Sequence, residues 1–147
     1  MNALLSQPVF QAYAIASALL VLGLHALAGA TGHVRSGRKT VLNREDTKVY
    51  KGASVVDVEH ANVQRAKRVH LNLIENALPF FMIGFVYTLT DPSVVMARLL
   101  FFGFVALRLL HALFYMKAIQ PARAMAFFGG MIVNLVMVAQ VLRAVLL

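Results

Sequence analysis

Four long apolar stretches alternate with polar links along the chain. They cover residues 10–30, 71–89, 94–116 and 124–147, and each is close to the ~20 residues that an α-helix needs to cross a bilayer. The link between the first two stretches is long, and the other two links are short. The pattern predicts an all-α membrane protein, a bundle of four transmembrane helices.

Helical spacing of polar residues extends two of these stretches. The predicted helices cover about residues 10–30, 65–89, 94–116 and 123–147 of a single domain that spans 1–147. No Lys or Arg precedes Arg35, and the first stretch is too long for the apolar region of a signal peptide. We therefore interpret it as a retained helix.

Composition agrees with a membrane location, and the charges predict an orientation. Hydrophobic residues make up 60% of the 147 residues, and the mean hydropathy is +0.73, whereas soluble domains are about 45–50% apolar. Nine of the 14 basic residues lie in the link 31–70 and two in 117–123, whereas the turn 90–93 has none. The chain is therefore predicted to lie in the cell (inner) membrane, and the positive-inside rule puts its basic links on the cytoplasmic side and both termini on the outer side. The net charge of +8 thus reflects orientation and headgroup attraction, and no nucleic acid is expected.

The chain contains no cysteine, which excludes disulfides, a thiol nucleophile and thiolate ligands for a metal. Any thiol chemistry must therefore arrive with a ligand, and we expect no metal. Four spans without an extramembrane domain form a thin bundle, which favours self-association. The pair Gly129-Gly130 on the last helix offers a point of close helix approach.

Polar residues at membrane depth are costly and are therefore candidates for function. On the second helix they are spaced by 3, 4 and 3 positions, which puts them on one face: Arg65, Arg68, Asn72 and Glu75. Pro79 follows Glu75 by four positions and loosens the helix there.

A second polar face is predicted on the third helix, where Arg108, His111 and Tyr115 are spaced by 3 and 4 positions. Arg123 follows Pro121 at the start of the fourth helix, where the helix N-terminus adds positive potential. Both faces end near the same membrane surface, which predicts a cationic pocket open to the cytoplasm. In a lone subunit Arg108 and Glu75 would face lipid at about 2.5–3.5 kcal/mol each, which again favours an oligomer.

Each of these features also has a structural interpretation. Arg68 with Glu75, or Arg108 with Glu75 across the bundle, would form a buried ion pair that sets packing rather than function. Single polar residues within the apolar stretches are interpreted as interhelical hydrogen-bonding groups: His25, Asn134 and Gln140. Several lysines are interpreted as solvated or headgroup-facing charges: Lys48, Lys51 and Lys67.

These motifs resemble those of a known family. Residues 65–81, RAKRVHLNLIENALPFF, followed by GFVY at 84–87, closely resemble the second helix of the MAPEG family, membrane-associated proteins in eicosanoid and glutathione metabolism. RLLH at 108–111 with Tyr115, then PAR at 121–123, resemble its third helix and the turn that follows. GHVR at 32–35 fits the end of its first helix.

The resemblance implies a homotrimer that binds glutathione between subunits near the cytoplasmic face, with membrane lipid around it. It implies conjugation or reduction of lipophilic electrophiles, or isomerisation of a lipid endoperoxide. Position by position, it implies these glutathione-binding residues: Arg35, Arg68, Asn72, Glu75, Arg108, His111, Tyr115 and Arg123. Among them Arg123 is implied to be the catalytic group, beside the sulfur.

Three departures narrow the predicted activity. Leu71 stands where the prostaglandin E synthase branch has an arginine, and Ala124 and Phe127 replace a serine and a tyrosine of that branch. A glutathione transferase or peroxidase of the kind seen in bacterial members is therefore favoured over an isomerase. The alternatives are a non-catalytic member that binds lipid or glutathione, and a small transporter.

The charges of glutathione agree with this assignment. Its two carboxylates and one ammonium match several arginines and one carboxylate, with Glu75 suited to the ammonium. A guanidinium near the thiol would lower its pKa by about 1–3 units and so favour the thiolate.

Overall fold

The computed structural model describes residues 2–147, which are almost entirely helical. A short helix α1 (Asn2–Leu5) precedes four long helices: α2 (Pro8–Arg38), α3 (Ala61–Thr88), α4 (Val94–Met116) and α5 (Gln120–Leu146). Each long helix is long and apolar enough to cross a membrane. The predicted all-α fold with four membrane-spanning helices is confirmed.

The helix bounds differ from the predicted ones at three polar ends. α2 continues past residue 30 to Arg38, where Lys39 adopts a left-handed conformation with φ of 51° and ends the helix. α3 begins at Ala61 rather than at 65, and α5 begins at Gln120 rather than at 123, with Pro121 in its first turn. Apolar runs indicate the part of a helix inside hydrocarbon, and the helices extend beyond it into the polar links.

The long link between α2 and α3 is ordered by a small parallel ladder. Strand β1 (Thr40–Val41) pairs with β2 (Ser54–Val55), and a 3-10 helix (Arg44–Lys48) lies between them. Val41 is fully buried, so the link has an apolar anchor of its own. The basic link is therefore a folded cap at this end of the bundle.

Glu59 ties the end of this link to two helices. Its Oε1 accepts hydrogen bonds from Nε and Nη2 of Arg35 at 3.0 and 2.7 Å, and its Oε2 pairs with Lys67. Burial raises the pKa of the Glu59 carboxyl, but the hydrogen bonds from Lys67 and Arg35 lower it by more, so it lies below its ordinary value. Lys67 keeps 43% of its side chain exposed, in agreement with a solvated charge, and its ion pair with Glu59 also holds α3 to the link.

Helices α3 and α4 form the centre of the bundle. Both contact α2 and α5, whereas α2 and α5 do not contact each other. Aromatic rings fill the interior: Phe80 stacks on Phe104 with ring centroids 4.5 Å apart, and the Tyr13 hydroxyl donates to the Phe81 carbonyl at 2.8 Å. This packing fixes the faces of α2, α3 and α4 that point toward one another.

The single polar residues have different outcomes. Gln140 accepts a hydrogen bond from the Tyr87 hydroxyl at 2.7 Å, which confirms its interhelical role between α5 and α3. His25 is exposed on α2. Asn134 is half-buried, and its Oδ1 has no hydrogen-bond partner within residues 2–147.

Candidate functional site

A cavity of about 240 Å³ opens between α3, α4 and α5 at the end of the bundle that carries the basic link. It is lined by polar side chains on one side and apolar ones on the other: Asn72, His111, Tyr115, Gln120, Arg123, Ala124, Phe127 and Phe128. Four residues predicted from sequence, Asn72 of α3, His111 and Tyr115 of α4 and Arg123 of α5, thus meet at one place. Their convergence gives a polar pocket beside an apolar wall.

Arg123 supplies the positive charge of this cavity. Its guanidinium carbon lies 4.4 Å from the centroid of the Tyr115 ring, within the range of a cation–π contact. It is half-buried in the first turn of α5, where the unpaired backbone N–H groups add positive potential. The cavity therefore favours an anion next to Arg123.

His111 and Asn72 form the inner wall. His111 is buried, and its ring lies against Tyr115 and Phe127, with centroid distances of 5.7 and 6.0 Å. The Oδ1 atom of Asn72 is buried without a hydrogen-bond partner from residues 2–147. Buried acceptors are normally satisfied, so this oxygen is available to a ligand N–H.

Arg108 lies inside the subunit, so the expectation that it faces lipid is wrong. It is 1% exposed, and its Nη2 donates to the carbonyl oxygens of Ala126 at 2.7 Å and Phe127 at 2.8 Å. The aromatic rings of Phe104 and Phe127 lie 5.5 and 5.6 Å from its guanidinium carbon. It forms no ion pair within residues 2–147, which also excludes the predicted alternative of pairing with Glu75 in this subunit.

Gly130 makes room for this guanidinium. A Cβ added there would overlap Nη2 of Arg108 and would lie 2.7 Å from its Cζ and Nε. The neighbouring Gly129 faces Leu107, where an added Cβ would lie 3.1 Å from a side-chain carbon. The glycine pair therefore serves close packing of α4 against α5 within the subunit.

Besides Arg108, three more predicted site residues lie outside the cavity lining. Arg68 is exposed and reaches only Gln64, with its Nη1 3.5 Å from the amide oxygen. Glu75 is exposed on α3 and has no ion-pair partner in the described chain, so no Arg68–Glu75 pair forms. Arg35 forms a hydrogen-bonded ion pair with Glu59. Their contribution to ligand binding stays a prediction.

Gln120 and Phe128 line the cavity although neither was predicted as a site residue. Gln120 is the first residue of α5, and Phe128 is exposed on the same helix, yet both line the cavity. A glutamine before a proline and one phenylalanine among many carry no signal for such a position.

Comparisons with known proteins find relatives that match most of the chain. A sequence profile of the MAPEG family matches residues 13–143. The chain is 33% identical to microsomal glutathione S-transferase 1 of Bos taurus, over 98% of this chain and 96% of that protein. It is 34% identical to the Homo sapiens protein of the same name, over 92% and 90%. It is also 33% identical to prostaglandin E synthase of Bos taurus, over 84% and 81%.

Proposed function

Because the chain belongs to the MAPEG family, we propose that it is a membrane-bound glutathione transferase that also reduces lipid hydroperoxides. Glutathione binds in the cavity beside Arg123 and reacts there as the thiolate. Its sulfur forms a bond to a lipophilic electrophile and displaces the leaving group. The observation that carries the proposal is the meeting of Asn72, His111, Tyr115 and Arg123 in one cavity.

The cavity has the charge that a thiolate needs. An ordinary thiol has a pKa of about 8.5 and is mostly protonated at neutral pH, and a nearby guanidinium favours the charged form. Arg123 provides that guanidinium, and its contact with the Tyr115 ring holds it in one orientation. Arg108 adds a second positive charge behind the His111 wall, since no carboxylate in residues 2–147 neutralises it.

Two features support a homotrimer with glutathione between subunits. The cavity of about 240 Å³ is smaller than the roughly 300–1,000 Å³ of typical small-molecule sites, so one subunit supplies only part of the site. Arg68 and Glu75 remain exposed on α3, about one turn to either side of Asn72, and are available to the charged groups of the peptide. A neighbouring subunit would close the site and cover both side chains.

The apolar side of the cavity supports a lipophilic second substrate. Ala124, Phe127 and Phe128 line it, and Met125 beside them is 75% exposed on the outer face of α5. An apolar electrophile concentrated in the bilayer would reach the sulfur from this side. The excess of basic residues at this end of the bundle supports a site at the cytoplasmic face of the cell (inner) membrane, with both termini on the opposite side.

An isomerase like prostaglandin E synthase is the second candidate, because such a relative is as similar in sequence as the transferases are. Ala124 and Phe127 argue against it, since both line the cavity and neither offers a hydroxyl to the substrate. Turnover of a lipid endoperoxide, compared with that of an aryl halide and a lipid hydroperoxide, separates the two functions.

Replacing Arg123 with Leu tests the proposed chemistry. Glutathione affinity should change by less than about tenfold, roughly 1.4 kcal/mol, because other groups hold the peptide. The bound thiol should have a higher pKa and turnover should fall much more, because the thiolate loses its guanidinium. The thiolate is followed by its ultraviolet absorbance as pH is varied, and Arg123→Lys should lie between wild type and Arg123→Leu.

Arg143→Leu is the matched control, because it removes an exposed arginine from the last turn of the same helix. It should leave both the titration and the turnover unchanged. The proposed role of Arg123 is refuted if Arg123→Leu also leaves both unchanged while the protein still binds glutathione.

A further inference from the structure

A second cavity, of about 390 Å³, lies on the other side of the α3–α4 pair. It is formed by the last turns of α2, the first turns of α3 and the end of α4: His33, Val34, Gly37, Arg38, Asn62, Arg65 and Met116. It shares no residue with the cavity beside Arg123, and α5 contributes nothing to it. It is therefore a separate feature of the same end of the bundle.

The charge of this second cavity is uncompensated. Arg38 and Arg65 both line it, and neither forms an ion pair within residues 2–147. Glu59 is the one buried carboxylate among the described residues, and it is already taken by Arg35 and Lys67. Two arginines thus face one cleft without an internal counterion.

The remaining lining adds donors and an apolar wall. His33 and the side-chain amide of Asn62 offer N–H groups beside the arginines, and Asn62 lies in the first turn of α3, where the helix dipole favours an anion. Val34 and Met116 form an apolar part of the same cleft. The cleft lies where α2 ends and α3 begins, at the depth of lipid headgroups if the basic link is at the membrane surface.

From these observations we propose that this cleft is a binding site for a phosphate group, held by Arg38 and Arg65. The planar guanidinium matches two oxygens of a phosphate at once, and basic pockets between transmembrane helices suit anionic headgroups. The phosphate belongs either to an anionic lipid, whose chain would lie along Val34 and Met116, or to a soluble phosphate. This site is independent of the proposed glutathione site.

The double variant Arg38→Gln, Arg65→Gln tests the proposal in the full-length protein. In the first arm, the protein is placed in nanodiscs that contain phosphatidylcholine and phosphatidylglycerol. Native mass spectrometry then counts the lipids that stay bound to the protein after it is released from the nanodisc. In the second arm, binding of inorganic phosphate is measured by calorimetry in nanodiscs of phosphatidylcholine alone. The control is Arg44→Gln, Lys48→Gln, which removes two exposed charges from the same link, outside the cleft.

We expect the wild type to retain phosphatidylglycerol in preference to phosphatidylcholine. The ratio of the two retained lipids should fall roughly ten times more in the cleft variant than in the control, because charge-assisted hydrogen bonds act only at the cleft. Phosphate binding in the second arm, lost only in the cleft variant, would support the same site with a soluble ligand. Equal behaviour of the two double variants in both arms overturns the proposal, since surface charge alone would then explain the result.

Glutathione affinity is measured on the same samples. The cleft variant should keep it within about threefold, since neither arginine lines the cavity beside Arg123. If glutathione binding falls together with the lipid preference, the cleft is part of the glutathione site, and a separate phosphate site is excluded. A failure of the proposed transferase function would leave the lipid result unaffected.

Discussion

At the scale of single residues, Arg108 is a cation surrounded by carbonyl oxygens and aromatic rings. Burial of a charge is costly unless its hydrogen bonds are made, and Nη2 makes two, to Ala126 and Phe127. Nε and Nη1 are buried without a partner from residues 2–147. The side chain therefore depends on the backbone of α5 for its position next to the Arg123 cavity.

Gly130→Ala should disturb this arrangement. Its methyl group would overlap the Arg108 guanidinium, which is fully buried and therefore cannot move aside easily. We expect a loss of about 1–3 kcal/mol of stability, as for overpacked cores, and weaker glutathione binding. Thermal denaturation in detergent and calorimetry measure the two effects.

Gly103→Ala on α4 is the control, because nothing lies within 4 Å of its added Cβ. It should leave the denaturation temperature unchanged or raise it slightly, because alanine has a higher helix propensity than glycine. If Gly130→Ala is as stable as Gly103→Ala, the close packing of Arg108 against α5 is not a source of stability.

The contacts of Arg108 show the limit of prediction at this scale. Helical spacing correctly put His111 and Tyr115 on one face of α4, because positions three or four apart share a helix face. The position of Arg123 after Pro121 correctly put it at the same end of the bundle. It could not show that Arg108 turns into the subunit while Glu75 stays outside. That difference depends on how α3 and α4 are each rotated in the bundle, which no spacing within one helix determines.

At the scale of elements, Glu59 joins the folded link to α2 through Arg35 and to α3 through Lys67. The pKa of Glu59 lies below its ordinary value. The resulting stability is therefore fully present above the pKa of a glutamate in the unfolded chain, about 4.3, and is lost as pH falls through the lower pKa of the folded state. This end of the bundle should loosen in acid.

Glu59→Gln should lower stability at neutral pH by about 1.5–3 kcal/mol, because the charged hydrogen bonds are lost. It should also weaken the loss of stability between about pH 5 and pH 3 that the wild type shows. Thermal denaturation across this pH range measures both effects. Glu45→Gln, an exposed glutamate of the 3-10 helix, should behave like the wild type, and identical curves for all three proteins would rule out the Glu59 contacts as a stabilising clamp.

The elements themselves were largely predictable. The length of the apolar stretches predicted all four spans correctly, because a helix that crosses the bilayer makes its backbone hydrogen bonds internally and carries apolar side chains over the whole hydrocarbon thickness. Bounds at the polar ends were missed, since α2 runs to Arg38 and α5 starts at Gln120 outside the apolar stretches. The ladder of Thr40–Val41 with Ser54–Val55 is too short to leave a periodic signal.

At the scale of the whole molecule, a single subunit would expose a charged side chain to lipid. Glu75 is exposed on α3 within the second apolar stretch, where a charge facing lipid costs about 2.5–3.5 kcal/mol. Arg108 no longer contributes to this argument, since it is buried within its own subunit. The cost at Glu75 is removed if a neighbouring subunit covers that face of α3.

Native mass spectrometry of the purified protein should therefore show a trimer of 16.1 kDa subunits.

Glu75→Gln, which keeps the size of the side chain, should bind glutathione less tightly by about 1.5–3 kcal/mol if the Glu75 carboxylate contacts the ligand ammonium. A monomer that binds glutathione as tightly as the intact assembly would contradict an intersubunit site.

The contact between Arg108 and α5 also bears on how the chain enters the membrane. Arg108 lies near the middle of α4, where an arginine adds about 2.5–3.5 kcal/mol to the cost of inserting a lone helix. Its two acceptors belong to α5, which follows after only a short turn, so α4 and α5 should insert as a hairpin. In a translocon assay with engineered glycosylation sites, α4 followed by α5 should insert more efficiently than α4 alone, and Arg108→Leu should abolish that difference. During biogenesis α4 and α5 would then enter the bilayer together, because α5 supplies the carbonyl oxygens that lower the free-energy cost of placing Arg108 in lipid.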